Sequence, residues 1–218
     1  MRRLILNAIR LAVALTILAA AGVYAQEPKT VPLPKPQITG GKPLMQALNE
    51  RMTRREFSPE KLSPQMLSNL LWAAFGINRP DGRRTAPSAS NMQEIDLYIA
   101  MADGVYMYDA KAHALQLSLQ QDARAATGTQ PWVATAPLNL VYVADYAKMG
   151  KQSDEDKRFY SGTDTGFVAQ NVYLFCASEG LAAVVRGGID RPVMEKALTL
   201  RPDQHVVLAQ TVGYSPQK

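Results

Sequence analysis

Apolar positions along this chain change period several times, and each change marks an element. A continuous apolar run, Leu11 to Val23, follows the basic stretch Met1 to Arg10. Periodicity then stops. Gln26 to Gly41 carries Pro28, Pro32, Pro34 and Pro36 and reads as an extended tether without its own core. Pro43 suits a first helical turn. Leu44, Ala47, Leu48 and Met52 then share one helical face. A second helix starts on Ser63 as N-cap with Pro64 as its first residue. Leu67, Leu70, Leu71 and Ala74 form its buried stripe, and Gly76 ends it.

From Ile95 the period drops to two. Ile95 to Ala100 alternates, Asp103-Gly104 signals a hairpin, and Val105 to Tyr108 pairs back. Ala114 to Leu117 is a candidate third strand. Gln121 to Ala136 reads as helical, interrupted by Gly128 and Pro131. Leu138 to Ala144 is an apolar run of buried-strand length. Lys148 to Gly162 is polar and includes the start of a helix. Asp164 to Glu179 reads as a long helix closed by Gly180. Phe167, Gln170, Asn171, Leu174, Phe175 and Ser178 spread around it, which predicts burial on most sides. Leu181 to Val185 is a strand, Asp190 caps a short helix, and His205 to Gly213 is the last strand.

Composition adds limits. The 218 residues divide into a leader (1–25), the tether (26–41) and one domain (42–218). Of the net charge of +5, three charges belong to Arg2, Arg3 and Arg10, so the remainder is too small for a nucleic-acid partner. Cys176 is the single cysteine, which excludes an intramolecular disulfide, and no histidine lies near it in sequence to activate it. His113 and His205 lack metal-ligand spacing, so no metal site is expected.

The leader has the parts of a secretory signal: a basic start, an apolar run and the small-residue site Val23-Tyr24-Ala25. Cleavage after Ala25 is expected, with export to the periplasm and no stable membrane insertion afterwards. No cysteine stands directly after the site, so no lipoprotein anchor is expected. Arg2-Arg3-Leu4-Ile5-Leu6 resembles a twin-arginine signal, a route that carries folded proteins.

Three stretches carry candidate chemistry. Arg51, Thr53, Arg54 and Arg55 put guanidinium groups and a hydroxyl where a phosphate could be chelated, or form a solvated basic helix end. Arg84 to Gln93 is a polar loop holding Pro87, Ser88, Ala89, Ser90, Asn91 and Gln93, whose small residues permit close approach to a flat ligand. Arg186-Gly187-Gly188 is a turn whose glycines allow the same.

The order Arg51-x-Thr53-x-Arg55-x-Phe57, a helix, then Pro87-Ser88-Ala89-Ser90-Asn91-x-Gln93 before a strand resembles the nitroreductase family of flavin enzymes. Arg84 to Ala89 is similar to the subgroup of azoline-oxidising dehydrogenases of peptide biosynthesis. The resemblance implies an α+β fold, with a central mostly antiparallel sheet flanked by helices in an intertwined homodimer. It implies FMN as cofactor and a small-molecule substrate. Arg51, Met52, Thr53 and Arg55 would line the phosphate and ribityl site, with Met52 where a basic residue is frequent. Pro87, Ser88, Ala89, Asn91 and Gln93 would reach the flavin from the partner subunit. Gly187 and Gly188 would bring a backbone N–H to the flavin N5, and Arg186 would contact its pyrimidine edge. In the subgroup a lysine and a tyrosine act on the substrate, for which Lys157 and Tyr160 are the candidates here. An exported flavin-binding protein without turnover and a scaffold that has lost the cofactor stay open as alternatives.

Overall fold

The computed structural model describes residues 29–216, so the expected signal segment lies outside the described residues. Seven strands form one sheet in the order β1-β4-β3-β2-β5-β7-β6, with every neighbouring pair antiparallel. They are β1 (Thr30–Pro32), β2 (Ile95–Met101), β3 (Gly104–Asp109), β4 (Ala114–Leu119), β5 (Leu138–Asp145), β6 (Leu181–Arg186) and β7 (Gln204–Tyr214). β5 is buried along its whole length because β2 and β7 flank it and helices cover the sheet. Its unbroken apolar pattern follows from burial on both faces.

Helices α1 (Leu44–Glu50), α2 (Pro64–Phe75), α3 (Asp154–Glu179) and α4 (Arg191–Ala197) complete the α+β fold. Leu70, Leu71 and Phe75 of α2 and Val168 and Val172 of α3 pack with Leu97, Ile99, Leu140 and Tyr142 in the main core. Each such side chain contributes roughly 1.5–3 kcal/mol on full burial. A second cluster, with Val141, Val143, Met194, Leu198 and Val206, lies under α4. Cys176 is buried in the main core, and burial pushes its thiol pKa up, away from reactivity.

Several elements differ from the sequence reading. The expected tether is extended, yet it docks: β1 pairs with β4, the Leu33 N–H donates to the His113 carbonyl, and Ser68 Oγ donates to the Pro34 carbonyl. Helix α1 ends at Glu50, with Arg51 as its C-cap, and buries only Ala47, so Leu44 and Leu48 are exposed and Met52 lies beyond it. Its apolar stripe has no cover within the protomer. Gln121 to Ala136, expected as an interrupted helix, is broken at Gly128 and forms two 3-10 turns, Arg124–Thr127 and Pro131–Ala134.

Helix α3 begins at Asp154, within the Lys148 to Gly162 stretch expected to start a helix, and runs without a break through the separate helix expected from Asp164. Ser153 caps it by accepting the Asp156 N–H at 3.1 Å, and Asp154, Glu155 and Asp156 complement its dipole. Gly162 and Gly166 mask this continuity in sequence. Each costs about 1 kcal/mol relative to alanine in a helix, which the packing of the buried face offsets. That face is one-sided: Ser161, Asp164, Thr165, Val168, Ala169, Val172, Tyr173 and Cys176 are buried, whereas Phe167 and Gln170 are exposed.

Candidate functional site

The first group is built on β6. After α1 the chain runs extended, and the Arg54 N–H donates to the Ala183 carbonyl at 3.0 Å. Tyr173 of α3 fixes the same segment from the other side. Its hydroxyl lies 3.2 Å from Thr53 Oγ1 and accepts the Val185 N–H at 2.8 Å. The Arg51 guanidinium sits over the Tyr173 ring, 5.5 Å from its centroid. Met52, Arg54, Tyr173 and Ala183 line a cavity of about 400 Å³. Among the described residues none of Arg51, Arg54 and Arg55 is in an ion pair. Three guanidinium groups in five residues with no carboxylate partner are a donor set suited to a phosphate. Gly187 and Gly188 are exposed just past the end of β6. Four residues of strand, about 13 Å, separate Ala183 from Gly187.

Arg186, between strand and turn, is buried. Its guanidinium donates to the Thr127 carbonyl at 2.7 Å and to Asn139 Oδ1 at 2.9 Å, while Nε has no partner. Burial without a carboxylate lowers its pKa to about 10. Its Nη1 occupies the space beside Gly128, where a Cβ would stand 1.9 Å away. The partners that the structure gives Arg186 are thus all within the protomer, and they tie the segment around Gly128 to the glycine turn.

The second group is the loop before β2. Pro87 and Asn91 are exposed, Ser88 and Ala89 half-buried. Ser90, Asn91 and Gln93 have φ of 50°, 55° and 50°, a region costly for residues with a side chain. Hydrogen bonds hold this shape. Ser88 Oγ accepts the Gln93 N–H at 2.9 Å, and Asp164 Oδ2 of α3 accepts the Ala89 N–H at 2.8 Å. The Gln93 amide is engaged inside the loop, accepting from Arg84 Nε and donating to the Gly82 carbonyl. Arg84 also donates to the Phe75 carbonyl at the end of α2.

Helix α3 separates the two groups. Asp164 and Tyr173 are nine residues apart, so about 14 Å along the axis and on opposite borders of its buried face. No hydrogen bond or ion pair between described residues joins the loop to Arg51, Thr53 or Arg55. Lys157 and Tyr160 lie one to two turns before Asp164, on the loop's side of the helix. Lys157 Nζ stands 5.9 Å from the centroid of the Tyr146 ring, and Tyr160 packs edge-on against Phe159.

Tyr173 and the buried pair Glu94–Asp164 are the site-shaping residues that motif reading misses. A tyrosine and two acids in apolar surroundings carry no motif. Alternation puts Glu94 out of phase with Ile95 and Leu97, on the side of Asp96, so no local period signals its burial.

Fold and site together define an α+β protein with an arginine segment bonded to the edge of β6 and a glycine turn just past the end of that strand. The profile of the nitroreductase family matches residues 48–214, and the chain belongs to that family. It is 29% identical over 181 residues to a Methanocaldococcus jannaschii protein, a nitroreductase by name, covering 78% of this chain and 90% of that one. A crystal structure of a Ralstonia eutropha JMP134 protein, also a nitroreductase by name, superposes with a TM-score of 0.84 at 40% identity. That match covers 89% of this chain and 93% of the other. The Escherichia coli microcin synthetase complex McbBCD with truncated pro-MccB17 bound matches with a TM-score of 0.68, 21% identity, and coverage of 91% and 84%, a likeness of fold.

Proposed function

We propose that this nitroreductase-family oxidoreductase uses FMN and works as an exported homodimer. It would pass electrons to or from a small molecule such as a quinone, a nitroaromatic or an azoline-like compound. One observation carries the cofactor reading: the Arg51–Arg55 segment, in no ion pair among the described residues, is hydrogen-bonded to β6 at Ala183, about 13 Å of strand from the Gly187–Gly188 turn. A five-carbon polyol with a terminal phosphate can bridge such a span. FMN, when bound, supplies the redox chemistry, and the protein supplies position and electrostatics. In this reading Arg51, Thr53 and Arg55 hold the phosphate and ribityl chain, and Met52 flanks them. Gly187 and Gly188 permit close approach of the ring. Lys157 and Tyr160 are assigned to the substrate.

The dimer reading rests on two further facts. The Pro87–Gln93 loop is separated from the arginine segment within one protomer, so a single site would need the loop of the partner subunit. Leu44, Met45, Leu48, Phe159 and Phe167 are also exposed large apolar side chains on α1 and α3. Such surface calls for a partner. A subgroup role in azoline oxidation draws on the Arg84–Ala89 likeness, and export draws on the leader.

An absorbance spectrum of the purified mature protein, with and without added FMN, tests the reading. Flavin bands perturbed by the protein are expected, with turnover once a reductant is supplied. Absence of FMN binding would leave the scaffold alternative, and binding without turnover would leave the binding protein.

A further inference from the structure

Glu94 closes the Pro87–Gln93 loop and leads into β2. Its carbonyl accepts the Asp145 N–H at 2.9 Å, so its backbone is pinned to the sheet. Its side chain is fully buried, and neither carboxyl oxygen meets a donor. The group against it is another carboxyl, Asp164 of α3, itself 2% exposed. The cation acting on it is Lys148, from the turn after β5. That ammonium is 2.5 Å from Asp96, on the strand that Glu94 leads into, and 4.0 Å from Asp145, so its charge is already compensated. Two ionised carboxylates here would repel in a dry site. One proton removes the conflict, because a neutral carboxyl has an O–H to donate and an ionised one accepts it.

Asp164 has a second task. Its Oδ2 accepts the Ala89 N–H at 2.8 Å, the bond from the helix to a loop whose Ser90, Asn91 and Gln93 hold positive φ. Backbone of that kind persists only when its surroundings over-determine it. We propose that Glu94 is a positioning residue: protonated, it donates to Asp164, and so holds that carboxylate where it fixes Ala89 and the shape of the loop. Ionisation of Glu94 drives the two carboxylates apart and releases the Ala89 N–H. Burial, with Asp164 beside it, raises the Glu94 pKa to about 7, which puts the release near neutral pH. The effect on FMN rests on the proposed cofactor reading, whereas the effect on the loop does not.

The test uses hydrogen exchange with mass spectrometry on the flavin-free mature protein, corrected for intrinsic rates, from about pH 5.5 to pH 8.5. Protection of the peptide containing Ala89 is expected to fall by about tenfold across that range in the wild type. Glu94→Gln keeps a neutral donor and is expected to stay protected throughout. FMN affinity, measured by flavin fluorescence, should weaken by about threefold or more over the same range in the wild type and stay level in the variant. Flat protection in the wild type overturns the proposal even if Glu94→Gln fails to fold. A Glu94→Gln protein as loose at low pH as the wild type at high pH overturns it too. Absence of FMN binding at every pH would count against the cofactor reading, and the exchange data would still decide this one.

Discussion

The Tyr173 hydroxyl stands 3.2 Å from the Thr53 hydroxyl while it accepts the backbone N–H of Val185. One side chain on the long helix thereby joins the arginine segment to the strand that ends in the glycine turn. Tyr173→Phe removes both bonds and leaves the Val185 N–H without its acceptor. The expected loss is about 1–3 kcal/mol of folding stability by urea denaturation, with weaker FMN binding. Unchanged stability and affinity would mean that the segment is held by its other bonds, among them Arg54 N–H to Ala183 and Ser58 N–H to Tyr214.

Arg51 and Arg55 are expected to hold the FMN phosphate. A charge-assisted contact is worth roughly 1.5–3 kcal/mol, so Arg55→Ala should weaken FMN by about tenfold or more. Titration followed by flavin fluorescence reads this directly. Equal affinity in wild type, Arg51→Ala and Arg55→Ala would move the phosphate elsewhere, with Arg83 and Arg84 the next candidates.

Light scattering on the flavin-loaded protein is expected to give a homodimer. A charge placed on the open apolar surface, as in Leu48→Glu or Phe167→Glu, should shift the population toward monomer and lower FMN occupancy with it. A wild-type protein that is monomeric with flavin bound would refute the shared site.

Stability is expected to fall as pH rises from about 4.5 to about 7 through the Glu94 contribution. The folded state keeps this proton after the unfolded chain has lost it, so the folded state binds more protons in that window. The stabilisation is complete below the unfolded value and lost as pH passes the folded one. Its upper size is about 3 kcal/mol. Urea midpoints across the window check it, and Glu94→Gln should flatten that part of the profile.

The proposed export bears on the electron donor. Nicotinamide dinucleotides are not normally regenerated outside the cytoplasm, so an exported enzyme needs another partner. Dithionite-reduced protein is expected to be reoxidised quickly by quinones or nitroaromatics, while NADH and NADPH reduce it slowly. Stopped-flow spectra at the flavin band measure both rates. Fast, saturable reduction by NADPH, together with cytoplasmic location of a tagged protein, would reverse the assignment.

Local chemistry made much of the fold legible. Ser63, Pro64 and Gly76 bound α2 because capping depends on adjacent residues, and alternation from Ile95 to Ala100 marks β2 because its period is set by the strand itself. Gly180, at φ 73°, closes α3 for the same reason. The Arg51–Arg55 and Pro87–Gln93 motifs were readable as residue types in order. The continuity of α3 was not, since Gly162 and Gly166 argue locally against a helix that tertiary packing sustains.

What the sequence determined by itself was therefore the elements with local signals, the family likeness and the kinds of side chain available to a site. Tertiary structure alone decided which of those side chains meet. It docked the arginine segment on β6, the strand that leads into the glycine turn, and tied the Pro87–Gln93 loop to Asp164 at the far border of the helix's buried face. It turned the Arg186 guanidinium inward to Thr127 and Asn139, and it buried Glu94 against Asp164. These pairings join residues dozens of positions apart. They depend on burial and charge compensation in three dimensions, which no local period or cap encodes.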